Sequence, residues 1–580
     1  MQETGVDVVT RLRRAGVGRG ELVGLAVAPG VALGLATTAG AWALQPGADG
    51  PDLAATVARI DQELRPRWVV WSGETAAILT AGQARVATCW DIAAVHRLLF
   101  GGWQAGPALA WARLHPRELA TLPASGPPDL FAQGDGGDPG EPIGPSGHIR
   151  PEWADGDWRA GPERVARWAG LARAAAVLQR DALAGLDGRP MAPATAHSES
   201  AAELLCAELS ADGLPMSRAA AEQVLAGFIG PRPRDEAEAA RNRRARDALV
   251  LRHAPEGVTA DLRSPAQVKT LLAAIGVDVP DTRAWRLKAL REAHPLVAAL
   301  LEWRKAERIA TTYGYGWLDQ HLGPDDRLRG AWTGSDGAAG RMTASGGLHN
   351  MPAAMRQAVV AGDGHVFVRA DLGQIEPRVL AAVSGDRALA GATRADDLYA
   401  PVADQLGVDR PTAKVAVLGA MYGQTTGHGA QALRRLKQAY PVAMAYLEDG
   451  DRSGQHRRDV RTYGGRLVSM ADPGGGDSPA RVAARGRYGR NALIQGAAAE
   501  LFKMWAVTVR ARAGAGPRIV LCLHDELLVH TRADQGQAVA GLVDDCLQEV
   551  ARRWAPGAPV RFISDTSVVQ RWSEAKGVPA

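Results

Sequence analysis

The sequence predicts a multidomain α+β protein on three observations: its length, the order of its strand-like and helical runs, and an acidic pair between two apolar runs near its end. At 580 residues the chain exceeds what one hydrophobic core supports, so about two to four domains are expected. Residues 21–120 alternate strand-like runs (Leu22 to Val27, Trp68 to Trp71) with helical ones such as Asp91 to Phe100, the pattern of a small α/β domain. Residues 121–160, with Gly134 to Gly140 at their centre, read as a loop. A mainly helical stretch follows from about 161 to 310, then strands and turns over 327–390. Helices dominate 396–450 and 479–513, separated by the loop Asp472 to Asp477. The end, 518–570, reads as a β-hairpin, a helix and a last strand from Val560 to Ser564.

Composition narrows the class. No apolar run reaches the ~18 residues a membrane span needs, and Met1 to Thr4 does not open a secretory leader, so a cytoplasmic protein is expected. Cys89, Cys206, Cys522 and Cys546 are scattered without CxxC spacing and read as reduced, buried residues. A net charge of +4 does not by itself announce a nucleic-acid binder. Only seven lysines stand against 60 arginines, which makes a lysine inside a motif notable.

The acidic pair sits in Arg518 to His530, where Asp525 and Glu526 occupy a turn that normally takes Asn-Gly or Asp-Gly. A second strand, Val366 to Asp371, also ends in an aspartate. Carboxylates brought within ~4 Å would repel by roughly 4 kcal/mol at an effective dielectric of ~20, unless a divalent cation lay between them. Each acid could equally cap an exposed turn, and the residues alone leave both readings open.

Three further segments carry chemistry. After Asp371, Gln374 and Glu376 stand at the mouth of a strand-to-helix junction, with Pro377 suited to the helix's first turn. In Asp409 to Gly423, Asp409 can cap a helix and Gly423 can end it. Arg410, Lys414, Leu418 and Tyr422 recur every four residues on one arc, a stripe suited to a triphosphate and a base or to a solvated amphipathic face. In Arg487 to Glu500, Arg487, Asn491 and Gln495 share a helical face whose long donors suit the minor groove.

In order and combination these segments resemble the polymerase motifs of the family A (DNA polymerase I-like) DNA polymerases, bacterial type. The resemblance extends through Ser264 to Gln267, Gly340 to Thr343, Leu348 to Pro352, Arg356 to Ala358 and Gly464 to Arg466. It implies a right-hand polymerase over 191–580, with thumb about 195–325, palm about 326–390 and 480–580, and fingers about 391–479. It implies that Asp371 and Asp525 hold two Mg²⁺ ions, with Mn²⁺ able to substitute, and that Glu526 supports them. Arg410 and Lys414 would grip phosphates, with Lys414 a proton donor to the leaving group. Tyr422 would stack near the templating position, and Gln374 would line the nucleotide site. Glu376 would be the steric gate against ribonucleotides. Arg341, Asn350, Arg356, Arg487, Asn491, Gln495 and His524 would contact the primer–template. The implied partners are primer–template DNA and dNTPs, for a monomer that is cytoplasmic and nucleoid-associated.

Departures from the family pattern are Leu372, Gly373 and Pro377, Leu418 in place of an aromatic ring, and Tyr399 in place of a histidine. The rival readings are a DNA-binding protein on a polymerase scaffold and a polymerase that still proofreads. Residues 1–190 have the size and pattern of the family's 3′–5′ exonuclease-like (ribonuclease H-like) domain, but Leu22 to Ala43 contains no acid where Asp-x-Glu belongs. Asp61-Gln62-Glu63 lies in a helix-like segment and reads as a solvated face, and Trp168 to Ala172 lacks the final acid. An exonuclease-like domain that no longer cleaves is expected, with no 5′-nuclease domain ahead of it.

Overall fold

A computed structural model describes residues 5–46, 52–115, 117–119, 122, 138–423, 429–471 and 478–575. The loop readings over 134–137 and 472–477 and the reading of Met1 to Thr4 lie outside the described residues. Five strands open the chain: β1 (Leu22–Ala28), β2 (Ala32–Thr37), β3 (Gly40–Leu44), β4 (Arg67–Val70) and β5 (Cys89–Asp91). They form one sheet in the order β3-β2-β1-β4-β5, antiparallel among β1, β2 and β3 and parallel from β1 through β4 to β5. Side chains alternate between its faces. Leu22, Ala26 and Ala28 join a core with Val165 and Trp168, while Val23, Leu25 and Val27 join another with Val57 and Ile60. The helix Pro162–Ala184 lies so close that a Cβ on Gly24 would stand 2.1 Å from the Ala169 carbonyl oxygen. One on Gly34 would stand 2.4 Å from that of Val165. No side chain of any size fits at those two positions.

Asp61 does lie in a helix, Leu53–Leu64, but the expectation of a solvated face fails for it. It is 7% exposed, and its carboxylate accepts from Trp68 Nε1 and Ala87 N, both at 2.9 Å. The carboxylate closes donors of β4 and the next loop, a packing role that sequence polarity conceals. Burial pushes its carboxyl above the usual range.

His96, on the helix Ile92–Phe100, is buried with no hydrogen-bond partner for Nδ1 among the described residues. Burial, aided by Arg113 and Arg97, lowers its imidazole from 6.5 to about 4. The unfolded chain therefore takes up this proton first, and stability falls as pH drops from 6.5 towards 4. The loss is on the order of 2–3 kcal/mol. His96→Leu should remove that portion of the acid slope, which urea melts of both proteins at pH 7 and pH 5 would read.

The chain divides into two compact units. The first comprises Met1–Asp212, Ala331–Ala344 and Val368–Val568, so the helix Ala192–Asp212 lies in one unit with the opening sheet and with the helix Pro479–Ala513. A second sheet has the strand order Arg518–Leu523, Glu526–Arg532, His365–Leu372, Ser564–Val569. The last strand is thus Ser564–Val569, not Val560 to Ser564. The preceding residues are taken up in bracing: Phe562 is buried, and the Ile563 carbonyl accepts from Gly373 N at 2.9 Å. The second unit comprises Gly213–Gly330, Ser345–Phe367 and Val569–Ala580. Its helices Glu236–Leu251, Pro265–Ala274 and Pro295–Thr312 close on a core of Val250, Leu272, Leu296 and Leu300. No described helix is long and apolar enough to cross a membrane.

Candidate active site

The acidic turn is a hairpin tip. The turn falls one residue earlier than the acidic pair suggested: Leu523 pairs with Glu526, so His524 and Asp525 form the two-residue loop and Glu526 is the first residue of the returning strand. His524 has φ +55°, a left-handed conformation that glycine or asparagine usually takes. Gln374 has φ +52° immediately before the helix Ile375–Ser384. Non-glycine residues in this region are uncommon and gather where the fold imposes an exact geometry. The two junctions meet: Leu372 N donates to the Asp525 carbonyl at 3.0 Å. Asp371 and Asp525 are therefore brought to one place from opposite halves of the sheet.

Burial, then the Asp525 charge, pushes the Asp371 carboxyl up to about 7. Burial, with Glu526 and Glu376 nearby, pushes that of Asp525 up to about 6. Carboxylates held together in this way favour a cation between them. The donors are hard oxygens, and among the described residues no group of three or more His, Cys, Asp or Glu is placed to hold a metal. That donor set fits a divalent ion such as Mg²⁺, which binds through one or two carboxylates and keeps water and substrate oxygens for the rest.

Two arginines that sequence reasoning missed hold this junction. Arg369 has a side chain only 5% exposed; its Nη2 donates to Asp371 Oδ2 at 2.7 Å and its Nε to Glu526 Oε1 at 2.8 Å. Its Nη1 reaches Asp565 Oδ2 at 3.2 Å. Glu526, itself buried, thus acts on Asp371 through the shared guanidinium. Arg378 is fully buried and donates to the carbonyls of Gly373, Thr393, Ala395 and Asp396 at 2.7–3.0 Å. Burial lowers it to about 10. A basic residue two before the strand's aspartate, and another in the helix behind it, were the available signals.

The departures at 373 and 377 have local reasons. A Cβ on Gly373 would stand 2.8 Å from Ile563 Cγ1, so glycine accommodates that packing. Pro377 falls in the first turn of the helix Ile375–Ser384, as expected, and Leu372 is buried.

Beside the carboxylates lies a cavity of about 350 Å³, lined by Gln374, Glu376, Tyr399, Leu418, Tyr422 and Asp525. Arg341 and His524 also reach it. Tyr422 Oη donates to Glu376 Oε2 at 2.6 Å and Arg341 Nη2 to Glu376 Oε1 at 3.2 Å, so both oxygens of that carboxylate are fixed. Tyr399 is buried, and its hydroxyl is pushed up to about 12 by burial and the Glu376 charge. The helix Arg410–Tyr422 forms as its caps predict: Asp409 accepts from Thr412 N at 2.7 Å, and Gly423 ends it with φ +68°. Lys414 is exposed one turn beyond Arg410. Arg410 Nε is held by Asp397 Oδ2 at 2.5 Å. Asp397 also accepts from Gln374 Nε2 at 3.0 Å, so an acid unnoticed in the sequence positions two expected nucleotide-binding groups.

Arg487, Asn491 and Gln495 lie on the 35-residue helix Pro479–Ala513, with Arg487 exposed and the amides half-buried. Gln495 hydrogen-bonds the Tyr422 hydroxyl, tying that face to the cavity. Asn350 and Arg356 belong to the second unit. There the Asn350 carbonyl accepts from Arg308 Nη2 at 3.3 Å, and the Arg356 guanidinium lies 4.2 Å from the Trp572 ring centroid.

A mixed α+β frame that converges a strand-end aspartate on a hairpin aspartate, with a cation-bearing helix beside them, defines a polymerase-class scaffold. Residues 238–574 match DNA polymerase family A, and the chain belongs to that family. It is 30% identical over 325 residues to the thermostable DNA polymerase I of Thermus thermophilus, covering 51% of this chain and 38% of that protein. It is 32% identical over 297 residues to DNA polymerase I of Chloroflexus aurantiacus, covering 46% of this chain and 31% of that protein. The chain thus spans well under half the length of these curated relatives. The fold is that of the POL domain of Pol1 from M. smegmatis, solved in complex with DNA primer-template and dNTP. That likeness has a TM-score of 0.68 at 20% identity and covers 99% of both chains.

Proposed function

We propose that this chain is a template-directed DNA polymerase that extends a primer 3′-hydroxyl with dNTPs, acting as a cytoplasmic, nucleoid-associated monomer. The observation that carries the reading is the Leu372–Asp525 hydrogen bond, which joins the two aspartate-bearing junctions beside a nucleotide-sized cavity. Asp371 and Asp525 would hold two Mg²⁺ ions, which supply activation of the primer hydroxyl and charge neutralisation on the triphosphate. Arg410 and Lys414 bind and orient that triphosphate, Asp397 aiming the guanidinium. Lys414 gives its proton to the departing pyrophosphate oxygen, a role that lysine fills more readily than arginine. Tyr422 and Leu418 form the wall against the base and sugar. Arg341, Arg487, Asn491, Gln495 and His524 follow the primer–template end, and Asn350 and Arg356 are DNA contacts of the second unit taken by itself. In this reading 191–580 forms thumb, palm and fingers at the boundaries given above.

Glu376 excludes a 2′-hydroxyl, its carboxylate fixed by Tyr422 and Arg341. Glu376→Ala should raise ribonucleotide relative to deoxyribonucleotide incorporation by roughly 10–100-fold, and Tyr422→Phe by less. Single-nucleotide incorporation with dNTP and rNTP side by side tests both the activity and the gate. Background-level extension by wild type would favour a DNA-binding scaffold without catalysis.

Residues 1–190 are read as an exonuclease-like domain that no longer cleaves. The sheet order and the acid-free β1 support this, as does a cavity of about 840 Å³ lined by Trp71, Trp158 and Trp168. One of its carboxylates, Glu74, pairs with Arg159 at 2.9 Å. Release of 3′-terminal nucleotides from a labelled primer would refute that part.

A further inference from the structure

Away from the carboxylate pair, the first unit contains a recess of about 590 Å³ walled by Arg19, Arg65, Arg67, Arg85, Arg510 and Arg518. Its acids, Asp61 and Glu208, are already engaged. Asp61 is spent on Trp68 Nε1 and Ala87 N. Glu208 takes both forks of Arg510, at 2.7 and 2.9 Å. Arg85 pairs with Asp212 at 2.5 Å, and its Nη1 lies 3.6 Å from Glu208 Oε2, an ion pair without a hydrogen bond among the described residues. Arg19, Arg65, Arg67 and Arg518 have no carboxylate partner among the described residues; Arg67 meets only the Cys89 carbonyl, at 3.4 Å.

Gathering like charges is unfavourable without an anion. Burial, then the guanidiniums of Arg85 and Arg510, lowers Arg518 below the usual arginine value; burial, with Arg180, does the same to Arg67. Arg65 keeps its long side chain at φ +47°, a helix end where glycine is usual. Its carbonyl accepts from Gly20 N at 2.9 Å, which draws Arg19 to the same rim.

We propose that this recess is a binding site for a compact polyphosphate, either inorganic or the phosphate tail of a nucleoside polyphosphate. Guanidinium forks match phosphoryl oxygens two at a time, and several facing one recess suit linked phosphoryl groups. No lining residue is aromatic, so a base attached to the phosphates goes unread. The inference stands on this wall alone and is independent of the polymerase reading.

The test is calorimetric titration of the full chain with sodium tripolyphosphate in metal-free buffer. Lys414→Ala serves as the control for the nucleotide site. Lys414→Ala should retain the tripolyphosphate binding of the recess, which Arg67→Gln combined with Arg518→Gln should weaken at least about tenfold. ATP should bind within about threefold of tripolyphosphate, and citrate at least about tenfold more weakly. Arg65→Gly removes one cation while relieving the backbone, so it should weaken binding yet melt no lower than wild type. Absence of binding to wild type, loss of binding in Lys414→Ala, undiminished binding in the Arg67/Arg518 variant, or citrate as good as tripolyphosphate would each overturn the proposal.

Discussion

Asp525→Asn should lower the rate of primer extension at least about 10³-fold while leaving primer–template affinity within a few-fold of wild type. Asparagine keeps the size of the side chain and the hairpin but removes the charge that, in the proposed reading, would join Asp371 in holding a cation. The same substitution should raise the melting temperature in EDTA, because the partly buried Asp371 loses a repelling neighbour. The gain should be on the order of 1 kcal/mol. Added Mg²⁺ should then stabilise wild type more than the variant, since ligand linkage acts through the site that binds it. A carboxylate that merely capped its turn would give none of these three results together. Single-turnover extension and thermal melts with and without Mg²⁺ read all of them, and extension within tenfold of wild type would sink the two-carboxylate reading.

What the sequence made legible here is what depends on local pattern. The helix Arg410–Tyr422 forms where its caps place it, and the strand carrying Asp371 and the hairpin carrying Asp525 form with a shift of one residue, the strand running to Leu372 and the turn falling at His524-Asp525. What stayed hidden depends on partners far along the chain. Asp397 shows its part only once Gln374 and Arg410 converge on it, and Arg378 only once Thr393 to Asp396 fold over it. Polarity misled at Asp61, where a helix acid pairs inward with an indole instead of facing water. Apolar character misled at Val560 to Ser564, where buried Phe562 serves packing and strand pairing begins at Ser564. Lysine scarcity drew attention to Lys414, yet it applied equally to Lys503. That lysine is wholly buried, paired with Glu199 and donating to the Gly334 carbonyl at 3.2 Å. Rarity does not separate chemistry from packing, nor either from the exposed surface where Lys269, Lys288, Lys305 and Lys437 lie.

Arg369→Met should separate support from chemistry at the same site. The guanidinium is the only side chain described as bridging Asp371, Glu526 and Asp565, and methionine keeps its apolar stem without the charge. Removing one partner of a buried ion pair leaves the others uncompensated, so the variant should lose about 3–5 kcal/mol of stability in EDTA. Lysine, a single point charge, cannot span three carboxylates, so Arg369→Lys should recover only part of that loss. Arg369 also occupies Asp371 Oδ2, one of the two carboxylate oxygens on which a divalent ion would draw. With that competitor gone, the site is more negative and should bind divalent ions more tightly. The Mg²⁺ concentration for half-maximal extension should therefore fall by about threefold or more, even as metal-free stability drops. Damage to the fold alone would raise that concentration or leave it unchanged. A Mg²⁺ titration of extension at a temperature where both proteins are folded, set beside urea melts in EDTA, decides between a cation that stands in for metal and one that only holds the strand.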